Sequence, residues 1–236
     1  MALSPKLMSR LSRSYEAHAD PALAGPMKAY MRDQFEFLGL KRDTRDALDR
    51  EVLVELEAPT ERDLAAIARA CWKKSPREYQ YFAQKYLRKW TPKVASPAFV
   101  EVLAELITTK SWWDTVDELA QHAVGGLVAK HPSLVTTMDE WAKSDDLWLA
   151  RAAILHQNRY RNKTDVKRLF AYCRTRAGEK DFFMRKAIGW ALRVYAATDA
   201  DAVANFVAKN EARLSPLSKR EALRGVAHSS TLPARS

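Results

Sequence analysis

Hydrophobic positions along the chain recur in runs rich in Ala, Leu, Glu, Lys and Arg, and alternating strand-type patterns are absent. Together with only 7 glycines, this pattern is typical of an all-helical protein. We expect about a dozen short helices, because cap and turn signals recur at close spacing. Thr60 is one such signal, and Ser75-Pro76-Arg77-Glu78 is the clearest: Ser75 would cap a helix, with Glu78 reaching back to it.

The helical pattern also repeats. Trp112-Trp113 is followed 36 residues later by Trp148-Leu149, and Trp148-Leu149-Ala150-Arg151 is followed 34 residues later by Phe182-Phe183-Met184-Arg185. This period fits HEAT-like or TPR-like units, and the TPR positions for Trp, Gly, Tyr and Pro are not reproduced. The prediction is an all-α solenoid of HEAT-like helical hairpins with a concave surface lined by one helix per repeat. We expect a single domain over 1–236, with an N-terminal helix or arm over 1–24 and a disordered tail over 229–236.

The charge of the chain indicates what kind of partner this surface would bind. The net charge is +10 and the pI about 9.6, and residues 151–193 hold twelve Lys or Arg against three carboxylates. The excess surrounds two aromatics, Tyr160 and Trp190, and basic side chains interleaved with aromatics suit nucleic-acid phosphates and bases. A solvated helix face is the alternative, but such faces usually mix the two signs of charge. The basic residues flanking these aromatics are Arg159, Arg161, Lys163, Lys167, Arg168, Arg185, Lys186 and Arg193.

Several chemistries lack their sequence signatures. Cys71 and Cys173 lie far apart, and the five histidines show no ligand spacing on one helix. No Gly-rich phosphate loop or Gly-x-Ser-x-Gly elbow occurs, so we expect neither metal nor cofactor. No signal-type or membrane-length apolar run occurs either, which predicts a soluble intracellular protein without a membrane partner.

Aromatic and acidic residues meet most densely at Ser111-Trp112-Trp113-Asp114-Thr115-Val116-Asp117. This segment reads as a helix start, with Ser111 as the N-cap and Asp114 completing a capping box. Trp113 and Asp117, four residues apart, would then lie on one helix face. A structural alternative makes a tryptophan core and the aspartates N-terminal charges that favour the helix dipole.

These strings together resemble a known family. The segment from Ser111 to Asp117, the later Leu147-Trp148-Leu149-Ala150-Arg151-Ala152-Ala153-Ile154-Leu155 and Ala187-Ile188-Gly189-Trp190-Ala191-Leu192-Arg193 resemble the bacterial AlkD-type DNA alkylation repair enzymes, which are HEAT-like repeat DNA glycosylases. Tyr30-Met31-Arg32-Asp33-Gln34-Phe35-Glu36-Phe37-Leu38-Gly39-Leu40 is similar to the family's opening segment. The resemblance runs from about residue 25 to beyond 210, with the four strings in family order.

The resemblance implies a role for individual residues. Asp117 falls on the catalytic carboxylate, Trp113 and Trp190 on two lesion-flanking tryptophans, and Arg151 on the active-site arginine, which would hold the adjacent phosphate. The implied DNA contacts are Tyr30, Arg159, Arg161, Lys163 and Arg193. Arg159 and Arg161 stand where the family pattern leads us to expect lysines, so a planar fork replaces a point charge.

The function implied is hydrolysis of the N-glycosidic bond of cationic N3- or N7-alkylated purines in duplex DNA, without base flipping or cofactor. Asp117 would stabilise the oxocarbenium-like sugar and position water, and the indoles would pack on the deoxyribose. His156, the nearest candidate acid, is expected to be packed or to face solvent, turned away from Arg151. The chain is expected to be a cytoplasmic, monomeric bacterial protein that joins the nucleoid when bound to DNA.

Three alternatives remain open at the level of sequence: a specialised glycosylase for bulky alkylpurine adducts, a non-catalytic HEAT-like protein that binds damaged or bent DNA, and a protein-interaction scaffold. Asp117 argues against a binding-only protein, because a carboxylate facing phosphates repels DNA. The basic charge argues against the scaffold.

Overall fold

A computed structural model describes residues 3–230, and within that range the regular structure is helical, with one isolated bridge between Glu36 and Pro76. The chain forms two compact units, Met1–Lys110 and Ser111–Ser236. The helices of the first unit are α1 Leu3–Ala17, α2 Pro21–Tyr30, α3 Arg42–Val52, α4 Glu61–Lys73, α5 Glu78–Val94 and α6 Phe99–Thr108. The all-α class predicted from the sequence is confirmed.

The second unit holds α7 Trp113–Glu118, α8 Gly125–Lys130, α9 Val135–Trp141, α10 Leu147–Leu155, α11 Val166–Thr175, α12 Phe182–Ala196, α13 Ala200–Lys209 and α14 Pro216–Ser230. A π-helical segment, Leu119–Val124, joins α7 to α8, and short 3-10 turns lie at Pro132–Leu134 and Arg161–Lys163. Helix α14 extends through residues 229 and 230 of the segment 229–236 that was expected to form a disordered tail, and residues 231–236 lie outside the described range.

The helix starts test the cap predictions. Thr60 and Asp63 form the full capping box of α4, as expected for a short side-chain oxygen opposite an orphan N–H. The Ser75 prediction is wrong, because α5 begins at Glu78 and the Glu78 carboxylate is buried against the loop N–H groups of Leu38, Gly39 and Leu40. At α7 the cap position is Trp112, in extended conformation, one residue after the predicted Ser111.

Hydrogen bonds in each unit join residues one repeat apart. In the first unit, Trp72 Nε1 donates to the carbonyl of Leu106, 34 residues later. In the second unit, the Tyr160 hydroxyl donates to the carbonyl of Gly125 across 35 residues, and the Ser218 hydroxyl to that of Arg185 across 33. Successive hairpins therefore stack with the offset that the sequence period predicted, which is how a repeat protein buries its core.

A membrane-spanning helix requires a minimum length and hydrophobicity. Among residues 3–230, no helix combines the length and the apolar character needed to cross a bilayer.

Candidate active site

The centre of the site is an ion pair between α7 and α10. Arg151 donates from Nε to Asp117 Oδ1 at 2.7 Å and from Nη2 to Oδ2 at 2.7 Å, a bidentate geometry that matches a planar guanidinium to a carboxylate. The Arg151 side chain is 4% exposed and that of Asp117 14% exposed, so the pair is almost fully enclosed. Helix α10 holds Arg151 in place through its cap, where Asp146 accepts from the N–H groups of Trp148 and Leu149.

A third helix completes the arginine's coordination. Arg151 Nη1 donates to the backbone carbonyl of Phe183, in the first turn of α12. All three guanidinium nitrogens thus bind protein atoms from α7 and α12, and the side chain is buried. This geometry does not fit the expectation that Arg151 holds a DNA phosphate; the guanidinium instead fixes the Asp117 carboxylate.

An aromatic cluster lies beside this pair. The ring of Trp112 lies 6.0 Å from Trp148 and 4.9 Å from Phe183, and Trp148 lies 5.3 Å from Phe183. The alignment of Trp148 with Phe182 was therefore off by one, because Phe183 occupies the equivalent place. The caps Asp146 and Asp181, 35 residues apart, give the same corrected register.

Burial and the ion pair act in opposite directions on Asp117. Burial raises the pKa of the Asp117 carboxyl above its usual value, and the Arg151 guanidinium limits that rise. An arginine stays charged at all accessible pH values, so it favours the ionised carboxylate at neutral pH.

The two candidate tryptophans lie on two of these helices. Trp113 is the first residue of α7 and Asp117 lies one helical turn later, so they share a face as predicted. Trp190 lies in α12, two turns beyond the Phe183 carbonyl that Arg151 binds. Both indoles are half-buried and retain exposed surface.

The π-helical segment that begins two residues after Asp117 has no signature in the sequence. Within it, Gln121 Nε2 donates to the Asp117 carbonyl at 3.0 Å. The segment leads into Gly125, where a Cβ atom would lie 2.4 Å from the carbonyl oxygen of His156. Gly125 therefore lets α8 approach the end of α10 closely. Short π-helical segments such as Leu119–Val124 are frequent near functional sites.

His156 follows the last residue of α10. Its ring is 3% exposed, Nδ1 lies 2.6 Å from the carbonyl oxygen of Ala153, and burial lowers the pKa of His156 to about 4. The expected packed role is confirmed, and the ring is neutral at neutral pH. It is thus poorly suited to donate a proton to a leaving group there.

The predicted DNA contacts fall in different surroundings. Arg159, Arg161 and Lys163 are exposed on the connection between α10 and α11, and the two arginines line a cleft of about 1020 Å³. Arg168 was grouped with them but is bound to Asp165 and Asp139, because both carboxylates lie within reach of its guanidinium. Tyr30 is exposed at the end of α2 in the first unit.

Arg193 has a partner that the sequence reading missed. Its Nη1 lies 2.5 Å from Oε2 of Glu221, a buried carboxylate of α14. No motif marked Glu221, but it lies 35 residues after Lys186, which it also contacts, and this separation is one repeat period.

Comparison with known proteins bears on the whole chain. The family model of the DNA alkylation repair enzyme matches residues 11–226. A solved structure, described as a predicted DNA alkylation repair enzyme from Enterococcus faecalis, gives a TM-score of 0.78 at 30% sequence identity, covering 92% of this chain and 98% of that chain. Comparison with functionally curated proteins gives no significant match. Since the family match takes in nearly the full length, including Asp117, Arg151 and both candidate tryptophans, the chain belongs to the family of DNA alkylation repair enzymes.

Proposed function

We infer that this repair enzyme is a DNA glycosylase that releases N3- or N7-alkylated purines from duplex DNA. The observation that carries the proposal is the Asp117 carboxylate, held by two 2.7 Å bonds from a buried arginine and placed one helical turn from an indole with exposed surface. A carboxylate at a DNA-binding site repels the phosphates, so its presence there favours a role in stabilising positive charge that develops during the reaction.

The sugar supplies that partner. As the bond between C1′ and the base nitrogen breaks, its electron pair moves to the cationic base, which leaves neutral, and positive charge develops on the deoxyribose. Asp117 is preorganised to stabilise that charge; it can orient the water that attacks C1′ and accept the proton that this water loses as the C1′–O bond forms. Trp113 and Trp190 would offer ring faces to the same cationic sugar.

Arg151 takes a positioning role in this scheme. DNA phosphates and burial both favour protonation of Asp117, which would remove the charge that the reaction needs. The bidentate guanidinium opposes protonation and leaves each carboxylate oxygen a second lone pair for water or the sugar. Arg151 thus keeps the carboxylate ionised and fixed in direction.

Substrate choice follows from the state of His156. A neutral base such as uracil needs protonation or a specific pocket to depart, and the buried His156 is unprotonated at neutral pH. An alkylated purine carries its own positive charge and needs no acid. We therefore expect cationic lesions to be excised without a base-flipping pocket.

The test is single-turnover release of 7-methylguanine and of uracil from otherwise identical duplexes. Release of 7-methylguanine alone is expected, and Asp117→Asn should lower its rate by about 100-fold or more while leaving DNA binding intact or slightly tighter. Comparable rates for the two bases would contradict a mechanism that relies on the lesion's charge. Tight binding without release of any alkylated purine would favour the non-catalytic alternative.

A further inference from the structure

Three basic residues of the second unit converge on one buried carboxylate. The Glu221 side chain is 5% exposed and lies 3.2 Å from Lys186 Nζ, 2.5 Å from Arg193 Nη1 and 3.4 Å from Arg224 Nη1. The three cations keep 38%, 40% and 64% of their side-chain surfaces exposed, in the same order. The carboxylate is therefore enclosed beneath cations that still face solvent.

A glycine makes this arrangement possible. A Cβ atom at Gly189 would lie 2.7 Å from the Glu221 Cβ and 3.1 Å from Ser218 Cα, so only glycine lets α14 approach α12 this closely. Gly189 lies between Lys186 and Arg193 on α12, and the Glu221 side chain enters over it and reaches both.

The cluster borders a candidate tryptophan. Lys186, Trp190 and Arg193 follow the i, i+4, i+7 spacing that places residues along one helix face. Lys186 lies about 6 Å along the axis before Trp190 and Arg193 about 4.5 Å beyond it, at 1.5 Å of rise per residue. A group held by these cations would lie directly beside the indole.

Among the described residues, the cluster holds more positive than negative charge. Burial by itself raises the pKa of Glu221, but Lys186, Arg193 and Arg224 together hold that pKa below its usual value, so the carboxylate is ionised. One negative charge is set against three positive ones. Each arginine contributes a single N–H to Glu221 and retains further donors, which suit an oxyanion with several acceptor atoms.

We propose that Lys186, Arg193 and Arg224, gathered by Glu221, form a phosphate-binding site for the DNA backbone beside the nucleotide that packs against Trp190. The proposal rests on the proposed function, since it assigns a backbone contact to the same DNA complex. Only Arg193 was expected as a DNA contact from the sequence. The sequence placed Lys186 only in the basic group around Trp190; Arg224 is a new member, and Glu221 is a positioning residue that directs all three cations.

The test measures how the affinity for an undamaged duplex changes with salt, because each phosphate contact contributes about one unit to the slope of log affinity against log salt. Lys186→Gln and Arg224→Gln should each reduce the slope by about one. Lys143→Gln is the matched control: this exposed residue follows the end of α9 and lies on neither α12 nor α14, so it removes one positive charge outside the cluster and should leave the slope unchanged.

Glu221→Gln separates positioning from simple packing. Loss of the carboxylate charge leaves three cations without their internal counterion, so the slope should become steeper by about one, opposite to the Lys186→Gln effect. A Glu221 that only joins α14 to α12 would lower the melting temperature and leave the slope unchanged, which would overturn the positioning role. Circular dichroism confirms that each variant is folded before its slope is compared.

The outcomes also distinguish this site from the proposed function. If the unaltered protein binds no duplex at any salt concentration, the proposed function fails and this site with it. If it binds DNA but Lys186→Gln and Arg224→Gln behave like Lys143→Gln, the phosphate site is refuted and the chemistry assigned to Asp117 stands.

Discussion

Removing one partner of the Asp117–Arg151 pair should destabilise the protein far more than removing a similar pair from the surface. Arg151→Gln leaves a carboxylate that is 14% exposed without its cation, and Asp117→Asn leaves a 4% exposed guanidinium without its anion. Breaking a buried pair in this way costs about 3–5 kcal/mol. The chain offers a matched exposed pair, Arg69 and Glu105, which lie 36 residues apart and also form two-point contacts.

The measurement is the free energy of unfolding by urea for the two single variants and the double variant. Arg151→Gln and Asp117→Asn should each lose about 3–5 kcal/mol, and the double variant should lose less than their sum by about 1–3 kcal/mol because neither uncompensated charge remains. The same cycle with Arg69→Gln and Glu105→Gln should give single losses of at most about 1 kcal/mol, as for exposed ion pairs.

The comparison of the two double-mutant cycles shows whether Asp117 and Arg151 form a coupled, buried ion pair. If Arg151→Gln costs no more than Arg69→Gln, or if the Asp117 and Arg151 losses simply add, the pair is not a buried unit. In that case Arg151 would not be what keeps Asp117 ionised.

Three further predictions concern titration, packing and DNA contact. Excision should fall as the pH drops through the Asp117 pKa. Burial raises that pKa, so the acid limb of the pH–rate profile should lie above the usual aspartate range and move to still higher pH in Arg151→Gln. His156→Gln should leave the profile between pH 6 and 8 unchanged, and an acid limb that disappears in this variant would contradict the prediction. Gly125→Ala should cost about 1–3 kcal/mol of unfolding free energy because its Cβ would meet the His156 carbonyl, while Gly178→Ala, with nothing within 4 Å, should stay within about 0.5 kcal/mol; equal costs would be the contrary result. Charge reversal at Arg159 and Arg161 should weaken binding of damaged and undamaged duplex equally and lower the salt slope by about two, and a loss confined to damaged DNA would instead place these arginines at the lesion.

The helical class, the repeat period and the shared face of Trp113 and Asp117 could be predicted because each depends on a spacing along the chain. Predictions of individual helix caps were less successful, because residues elsewhere in the chain compete for the same side chains. Glu78 was expected at its own helix cap, but three loop N–H groups offered the buried carboxylate more hydrogen bonds. The π-helical segment Leu119–Val124 has no sequence signature.

The ion-pair partners of the site residues could have been predicted from the repeat period of the sequence. Once the repeat period is known, residues 34–36 apart become candidate neighbours, and this separation relates Asp117 to Arg151, Lys186 to Glu221 and Arg69 to Glu105. Gly189 was a second signal, because a glycine inside a helix usually marks a close approach. What the period cannot supply is burial, which depends on the side chains of a third helix.

Burial also distinguishes an ion pair that can serve the active site from ion pairs that only join neighbouring repeats. All three join oppositely charged residues one repeat apart, so the stacking of hairpins accounts for their existence without any reference to function. Arg69 and Glu105 are half-exposed and water weakens their attraction, so their pair has little consequence beyond the surface. At Asp117, α12 adds the Phe183 carbonyl to the arginine and nearly closes the pair from solvent. The same contact that joins two repeats thereby becomes a fixed, poorly solvated carboxylate, and such a group stabilises a developing cation far more strongly than a carboxylate in water.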